Sequence, residues 1–258
     1  VKLGCISYIN VLPVTLGLEL NQVGFEGELV RGEPTHLNAL TRQGLLDVTA
    51  VSSIEYLSCW QTYRVVQGVG LSSPAAVQSV KLFSLLPIAE LAGKTVAVTK
   101  ASATSRTLLQ VLVPGLRVID MEQPRLSPQQ PAVLLIGDQA LTAEAAPYEL
   151  DLGQAWRDRT GYPMVFAVWL ARRSLAEGPE QLLHRSREWG QQHWSRVIAE
   201  GVARTGLDEA TIAGYFAGMR YDLGPRELES LNLFYRMAAE LGLVQLPASL
   251  SEEKAWSV

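Results

Sequence analysis

Short apolar runs that end in small, hydroxyl-bearing turns recur along this chain, and helical signals follow them. VKLGCI leads into Ser7-Tyr8-Ile9-Asn10, DVTAV into Ser52-Ser53, and TVAVT into a polar stretch from Thr99 to Arg106. Between the first two runs lie two helical segments. Pro13 to Leu20 opens on a proline suited to a first helical turn. Pro34 to Gly44 has Thr35 as its expected cap, Leu37 and Leu40 three apart, and Gly44 as its stop. GELVRG supplies a strand between these helices. Strand alternating with helix predicts an α/β fold with parallel strands, because a parallel pair needs a crossover and a helix provides it.

The alternation restarts after VKLFSLLP. Strand TVAVT precedes an amphipathic helix whose apolar face is Leu108, Leu109 and Leu112. A proline-rich polar stretch from Pro124 to Pro131 reads as a surface loop. AVLLIG is the next strand, with a helix beginning at Asp138, and MVFAVWLAR is another. The tail is helical. Leu182, Trp189, Trp194, Val197 and Ile198 trace one helix face, and Asp208 caps a shorter helix carrying Ile212, Tyr215 and Phe216. Gly224-Pro225 opens a third helix with Leu228, Leu231, Tyr235 and Ala238 on one stripe, closed by Gly242. The middle block therefore reads as a second α/β unit inserted into the first. The expected division is residues 1–86 with 165–258 in one lobe and 87–164 in the other, with a cleft between them. Ligands in such sheets bind beyond the carboxyl ends of the strands. The hydroxyl-rich turns all fall there.

Composition narrows the function. The 258 residues carry 22 Lys+Arg against 26 Asp+Glu, a formal charge of −4, with 48% hydrophobic and 19% charged residues. That balance excludes a disordered chain and lacks the positive footprint that nucleic-acid binding needs. An anionic ligand must be held by local devices, since the overall field does not attract it. No apolar stretch is long enough to span a bilayer. No basic segment followed by an apolar one precedes the first strand, so a cytoplasmic protein is expected. Cys5 and Cys59 belong to no CxxC pair and read as buried thiols.

Each chemistry-bearing candidate has two uses. Ser102 or Thr104 caps the helix that follows, or the same turn offers a carboxylate the positive end of that helix. Ser52-Ser53 has the same pair of uses. Asn10 forms a turn or orients a hydroxyl or carboxylate through its amide. Asp138 is a helix cap or an acid/base group. Lys100 and Arg106 are solvated or pair with an anion. The histidines, His36, His184 and His193, stand in no HExxH, and the latter two, nine apart, fall on opposite faces of a helix. GxSxG, GxxxxGK[ST] and GxGxxG are absent, and the GVG at 68–70 lacks the rest of a dinucleotide motif. No metal and no cofactor are expected.

Several segments, in order, resemble one family. GCISYINVLPV resembles the G-x-ISYLN-x-x-P opening of the chorismate dehydratases of the futalosine route to menaquinone. LLDVTAVSSIEY resembles their DV-APVSSIEY, and SVKLFSLLPIAELAGKTVAVTKASATS their SV-LFS…GKTVALT-x-SATS. LLIGDQAL, DLGQAWRDRTGYPMVFAVWLARR and the closing YFAGMRYDLG are similar to further family motifs. The resemblance implies a two-lobed fold like the type II periplasmic binding proteins, which agrees with the inserted unit. It implies a cytosolic hydro-lyase, independent of metal, that removes water from chorismate to give 3-[(1-carboxyvinyl)oxy]benzoate. Its partner is then a small dicarboxylate. Carried over by position, Asn10 and Asp138 are the catalytic candidates. Ser7, Ser52, Ser53, Ser79, Thr99, Ser102, Ala103, Thr104 and Ser105 are the substrate-binding ones. Two other functions compete: a solute-binding protein for a small anion, and the related 1,4-dihydroxy-6-naphthoate synthases. The latter are similar in carrying a histidine in the second lobe, whereas this chain has no His between Glu55 and Leu183.

Overall fold

Apolar runs and turns condense into two sheets. The computed structural model describes residues 1–99, 103–176 and 178–248. In chain order the elements are β1 (Lys2–Ile6), α1 (Leu12–Glu19), β2 (Glu28–Gly32), α2 (Pro34–Arg42), β3 (Val48–Ser52), α3 (Tyr56–Cys59), β4 (Tyr63–Ser73) and β5 (Val80–Ser84). Then come β6 (Thr95–Thr99), α4 (Ala103–Leu112), β7 (Arg117–Met121), β8 (Ala132–Ile136), α5 (Asp138–Leu141), β9 (Tyr148–Asp151) and α6 (Leu152–Thr160). The chain closes with β10 (Met164–Arg172), α7 (Pro179–Gln192), α8 (Trp194–Thr205), α9 (Glu209–Ala217) and α10 (Pro225–Glu240). Single 3-10 turns, Ile9–Val11 and Ser53–Glu55, lead into α1 and α3. The sheets are five-stranded, ordered β2-β1-β3-β10-β4 and β7-β6-β8-β5-β9.

The first compact unit comprises Val1–Ser72 and Phe166–Gly224. In its sheet β1 runs parallel to β2 and β3, and β10 runs antiparallel to β3 with Ala167 opposite Ser52. The five residues of β3 are all buried, as expected of a strand covered on both faces. α1 is buried from Leu12 to Leu18 and packs on α7, where the Ser186 hydroxyl accepts from the Leu18 amide at 3.1 Å. Burying each large aliphatic side chain here contributes about 1.5–3 kcal/mol. α2 starts after Glu33, with no side-chain cap, so Thr35 does not cap it; Pro34 occupies the first turn. The single helix face expected from Leu182 to Ile198 is split between α7 and α8. The chain breaks at His193 (φ −116°, ψ 40°), whose ring stacks on Trp189 at 4.3 Å. His184 and His193 are therefore not opposite faces of one helix.

The second unit comprises Ser73–Val165 and the described part of Pro225–Val258. Here β6 is parallel to β7 and β8, while β5 is antiparallel to β8 and β9. Phe83, Ala97 and Val133 form a core cluster covered by Leu126, Leu135, Ala143 and Ala146. These boundaries correct the expected division. The first crossing lies at Ser72–Ser73, not after Leu86, because β5 pairs with β8 and β9. The tail also divides, since α10 belongs to the second unit. Its Ser230 hydroxyl accepts from Trp156 Nε1 of α6 at 2.9 Å and donates to the Pro163 carbonyl. Phe234 meets Trp156 edge-on at 5.8 Å. Among the described residues no helix is long and apolar enough to cross a membrane.

Candidate active site

In the first unit the candidates collect at one edge of the sheet. β1 and β3 are parallel neighbours with Gly4 opposite Thr49. Continuing that register brings Ser7 level with Ser52, at the carboxyl ends of both strands. Ser7 is exposed, and its amide donates to the Gly32 carbonyl at 3.0 Å. Asn10 lies in the 3-10 turn that follows, half-buried, and its Oδ1 is buried without a hydrogen-bond partner among the described residues. The residues at the cap positions of this turn and of α1 are Tyr8 and Val11, so Asn10 caps neither. Ser52 and Ser53 are both buried. Ser52 stands at the start of the second 3-10 turn but makes no side-chain cap bond there.

Two residues outside the sequence-derived set support this turn. Asn38 of α2 is 1% exposed, and its Oδ1 accepts from the Ser52 amide at 3.4 Å. Arg42, one helical turn further on, places Nε 2.9 Å from Glu55 Oε2. The signal for Asn38 was a polar residue between Leu37 and Thr41 on the buried face of α2. It becomes readable only once that face is known to cover β3. Burial pushes the Glu55 carboxyl up from its ordinary value, against the opposing pull of Arg42.

The second unit brings its candidates to one edge as well. β6 and β8 are parallel with Val98 opposite Leu134, so Thr99 and the residues after Ile136 emerge on the same side. β5 enters from that side, since Val80 pairs with Ile136 and the Ser79 carbonyl accepts from the Gly137 amide at 2.8 Å. Ser79, Thr99, Thr104 and Ser105 are buried, and Ala103 is half-buried at the start of α4. Lys100 and Ser102 lie outside the described residues. Arg106 pairs with Asp120 of β7, which takes up its charge locally.

Asp138 follows Gly137, whose φ of 58° and ψ of −140° suit only glycine. The cap position of α5 is therefore Gly137, and Asp138 is the first helical residue. Its carboxyl is half-buried, its Oδ1 is buried without a hydrogen-bond partner among the described residues, and burial alone pushes it up from the ordinary carboxylate range. A further residue outside the candidate set shapes the approach to Ser79. The Asp151 carboxylate accepts from the amides of Val77 at 3.0 Å and Gln78 at 2.7 Å, and also caps α6 through the Gln154 amide. Gly153 lets the same loop come close, because a Cβ there would sit 2.6 Å from the Ala75 carbonyl. The DLG at 151–153 thus has a structural reason.

The polar groups at the two edges are hydroxyls and an amide, with the Asp138 carboxyl beside them. Neutral hydroxyl and amide donors suit a small anion, while a carboxylate is an acceptor. Both cysteines are free and buried, and burial pushes each thiol up to about 12, so neither is a thiolate nucleophile near neutral pH. Among the described residues no three of His, Cys, Asp and Glu gather as metal ligands.

Residues 1–240 match the menaquinone-biosynthesis family. The chain belongs to that family. Chorismate dehydratase of Thermus thermophilus is 31% identical over 271 residues, covering 95% of this chain and 96% of the relative. Among solved structures, AF1704 of Archaeoglobus fulgidus superposes with a TM-score of 0.79 at 19% identity, over 94% of this chain and 98% of the other. The alkanesulfonate-binding protein SsuA of Xanthomonas axonopodis pv. citri, bound to MOPS, gives 0.63 at 16% identity, over 95% and 94%. A Candida albicans protein described as having the generic periplasmic binding protein fold gives 0.62 at 7% identity, over 96% and 92%. The family member is thus built on a periplasmic-binding-protein-like fold, as its α/β elements and two sheets implied.

Proposed function

We propose that this protein is a chorismate dehydratase acting in menaquinone biosynthesis. The observation that carries this reading is the identity to the Thermus thermophilus enzyme across nearly the whole of both chains. The neutral hydroxyl and amide donors at the carboxyl ends of the strands support it, because the substrate is a dicarboxylate. In the reaction the ring proton beside the enolpyruvyl oxygen is removed. The electrons of that C–H bond form the new ring double bond as the neighbouring C–O bond breaks. The hydroxyl leaves as water by taking back the proton that the accepting carboxylate removed, and the ring becomes aromatic. The ring carboxylate acidifies that proton vinylogously. Aromatisation supplies much of the driving force, so the protein needs to add general acid–base help of about 10²–10⁴-fold and a fixed substrate conformer.

In this reading Asn10 orients the reacting centre. Its orphaned carbonyl accepts from the departing hydroxyl, while its amide N–H donates to that oxygen or to a carboxylate. Ser7, Ser52, Ser53, Ser79, Thr99, Ser102, Ala103, Thr104 and Ser105 are the proposed substrate-binding residues, with hydroxyl and backbone donors suited to carboxylates. Two carboxylates can accept the ring proton: that of Asp138, and the substrate's own enolpyruvyl carboxylate. No step calls for a metal, and a cytoplasmic location belongs to the same proposal.

The test is to mix purified protein with chorismate alone and separate the products by chromatography. A benzoate product and water loss, undiminished by a chelator, are expected. Binding without conversion would leave a solute-binding protein, a function whose present support is the fold alone.

A further inference from the structure

We propose that Asn38 and Arg42 of α2, together with Glu55, clamp the Ser52–Glu55 turn in the shape that receives a carboxylate, and are thus positioning residues for the first unit's donors. The inference rests on the functional reading above and deepens it. Asn38 and Arg42 are four apart on one helix, so they share a face. Each holds one end of the turn. At the upstream end, buried Asn38 Oδ1 accepts from the Ser52 amide. At the downstream end, Arg42 Nε meets Glu55 Oε2 at 2.9 Å. The Glu55 carbonyl is held too, accepting from the Ser58 hydroxyl at 2.8 Å and the Cys59 thiol at 3.4 Å.

Charge gives Arg42 a second task. The Glu55 side chain is only 16% exposed and lies two positions from Ser53. An unneutralised carboxylate there would repel the anion that the serines are proposed to hold. Arg42, with its side chain 53% exposed, reaches in from solvent and cancels that charge. An acidic chain whose donors are neutral hydroxyls needs this local neutralisation more than a basic one does. Neither Asn38 nor Arg42 touches the reacting atoms in this arrangement.

The experiment uses the full chain and chorismate. Arg42→Glu reverses a half-exposed charge, and Glu55→Arg with Arg42→Glu restores the pair in the opposite sense. Arg42→Glu is expected to raise KM about tenfold while kcat changes little, the size of an ion pair lost and a like charge gained at a mostly buried carboxylate. The double swap is expected to bring KM most of the way back, and Glu55→Gln to leave the fold intact with a smaller rise. Hydrogen exchange at the amides of 53–56 gives a readout independent of turnover. It should quicken in Arg42→Glu, measured well below the melting transition, more than at amides elsewhere in the chain, and slow again in the double swap. Quickened and restored exchange in a protein that does not convert chorismate would sink the functional reading and leave the clamp standing. Normal turnover by the wild type, with KM and exchange unmoved by Arg42→Glu, would overturn the clamp.

Discussion

Asn10 and Asp138 stand apart from the other candidates because each keeps a buried oxygen that nothing among the described residues satisfies. A buried acceptor left unpaired costs about 1–3 kcal/mol, so each of these two oxygens calls for a partner from outside the chain, a water or a ligand. Asn10→Ala should therefore lower kcat by about 10²–10³ while the melting temperature stays level or rises. A fall in stability with unchanged turnover would show a structural residue instead. Asp138→Asn separates the two proton acceptors. A loss of about 10²–10⁴ assigns the proton to Asp138, and an undiminished rate assigns it to the substrate carboxylate. The same variant has a stability signature. The folded protein raises this carboxyl above its ordinary value of 3.8, so burial favours the neutral form. The stability that goes with the neutral form is full below pH 3.8 and is lost as pH rises through the folded value. Asn cannot ionise, so Asp138→Asn should melt higher than wild type at pH 7, with the gain vanishing below that lower pH. A constant difference across the range would refute the assigned cause.

At the scale of elements, α10 gives the sharpest prediction. Ser230 serves Trp156 Nε1 and the Pro163 carbonyl at once, in a setting where both Trp156 and Ser230 are fully buried. Ser230→Ala leaves the indole N–H unpaired and should cost about 1–3 kcal/mol in a urea titration followed by tryptophan emission. An unchanged midpoint would mean that α10 is not tied to α6 in this way. Legibility also divides by element. Strands β1, β3, β6, β8 and β10 stand out as apolar runs because they are buried along most of their length. β7 and β9 leave no such trace. Both are edge strands with mostly exposed or half-exposed residues, and pairing to β6 and β5 makes them strands. The break between α7 and α8 is equally hidden, since no proline or glycine falls at His193 and apolar spacing runs on across it.

Over the whole molecule, charge sets what the protein does not do. At −4, with Arg106 paired to Asp120 and Glu55 paired to Arg42, long-range attraction contributes nothing to the capture of a dianion. Adding salt screens exposed charges over about 8 Å at physiological strength. The apparent kcat/KM should accordingly stay flat or rise with ionic strength. A steep fall would mean that basic residues draw the substrate in. The same scale holds the largest revision of the sequence-based picture. Two units were legible from the restart of the alternation. The allocation of β5 and α10 was not, because it depends on which partners bury them.

Local sequence determined the alternation of strand and helix, the hydroxyl, amide and carboxyl groups at the strand ends, and the motifs that mark the family. These are properties of neighbours at spacings of two to four residues, where backbone geometry speaks directly through side-chain pattern. Tertiary structure alone decided which sheet each strand joined and which helix covered it. It also decided that Asn10 and Asp138 were left with unpaired oxygens and that Asn38 and Arg42 would hold the Ser52–Glu55 turn. Burial and desolvation depend on residues far away in the chain, and no short window of sequence contains them.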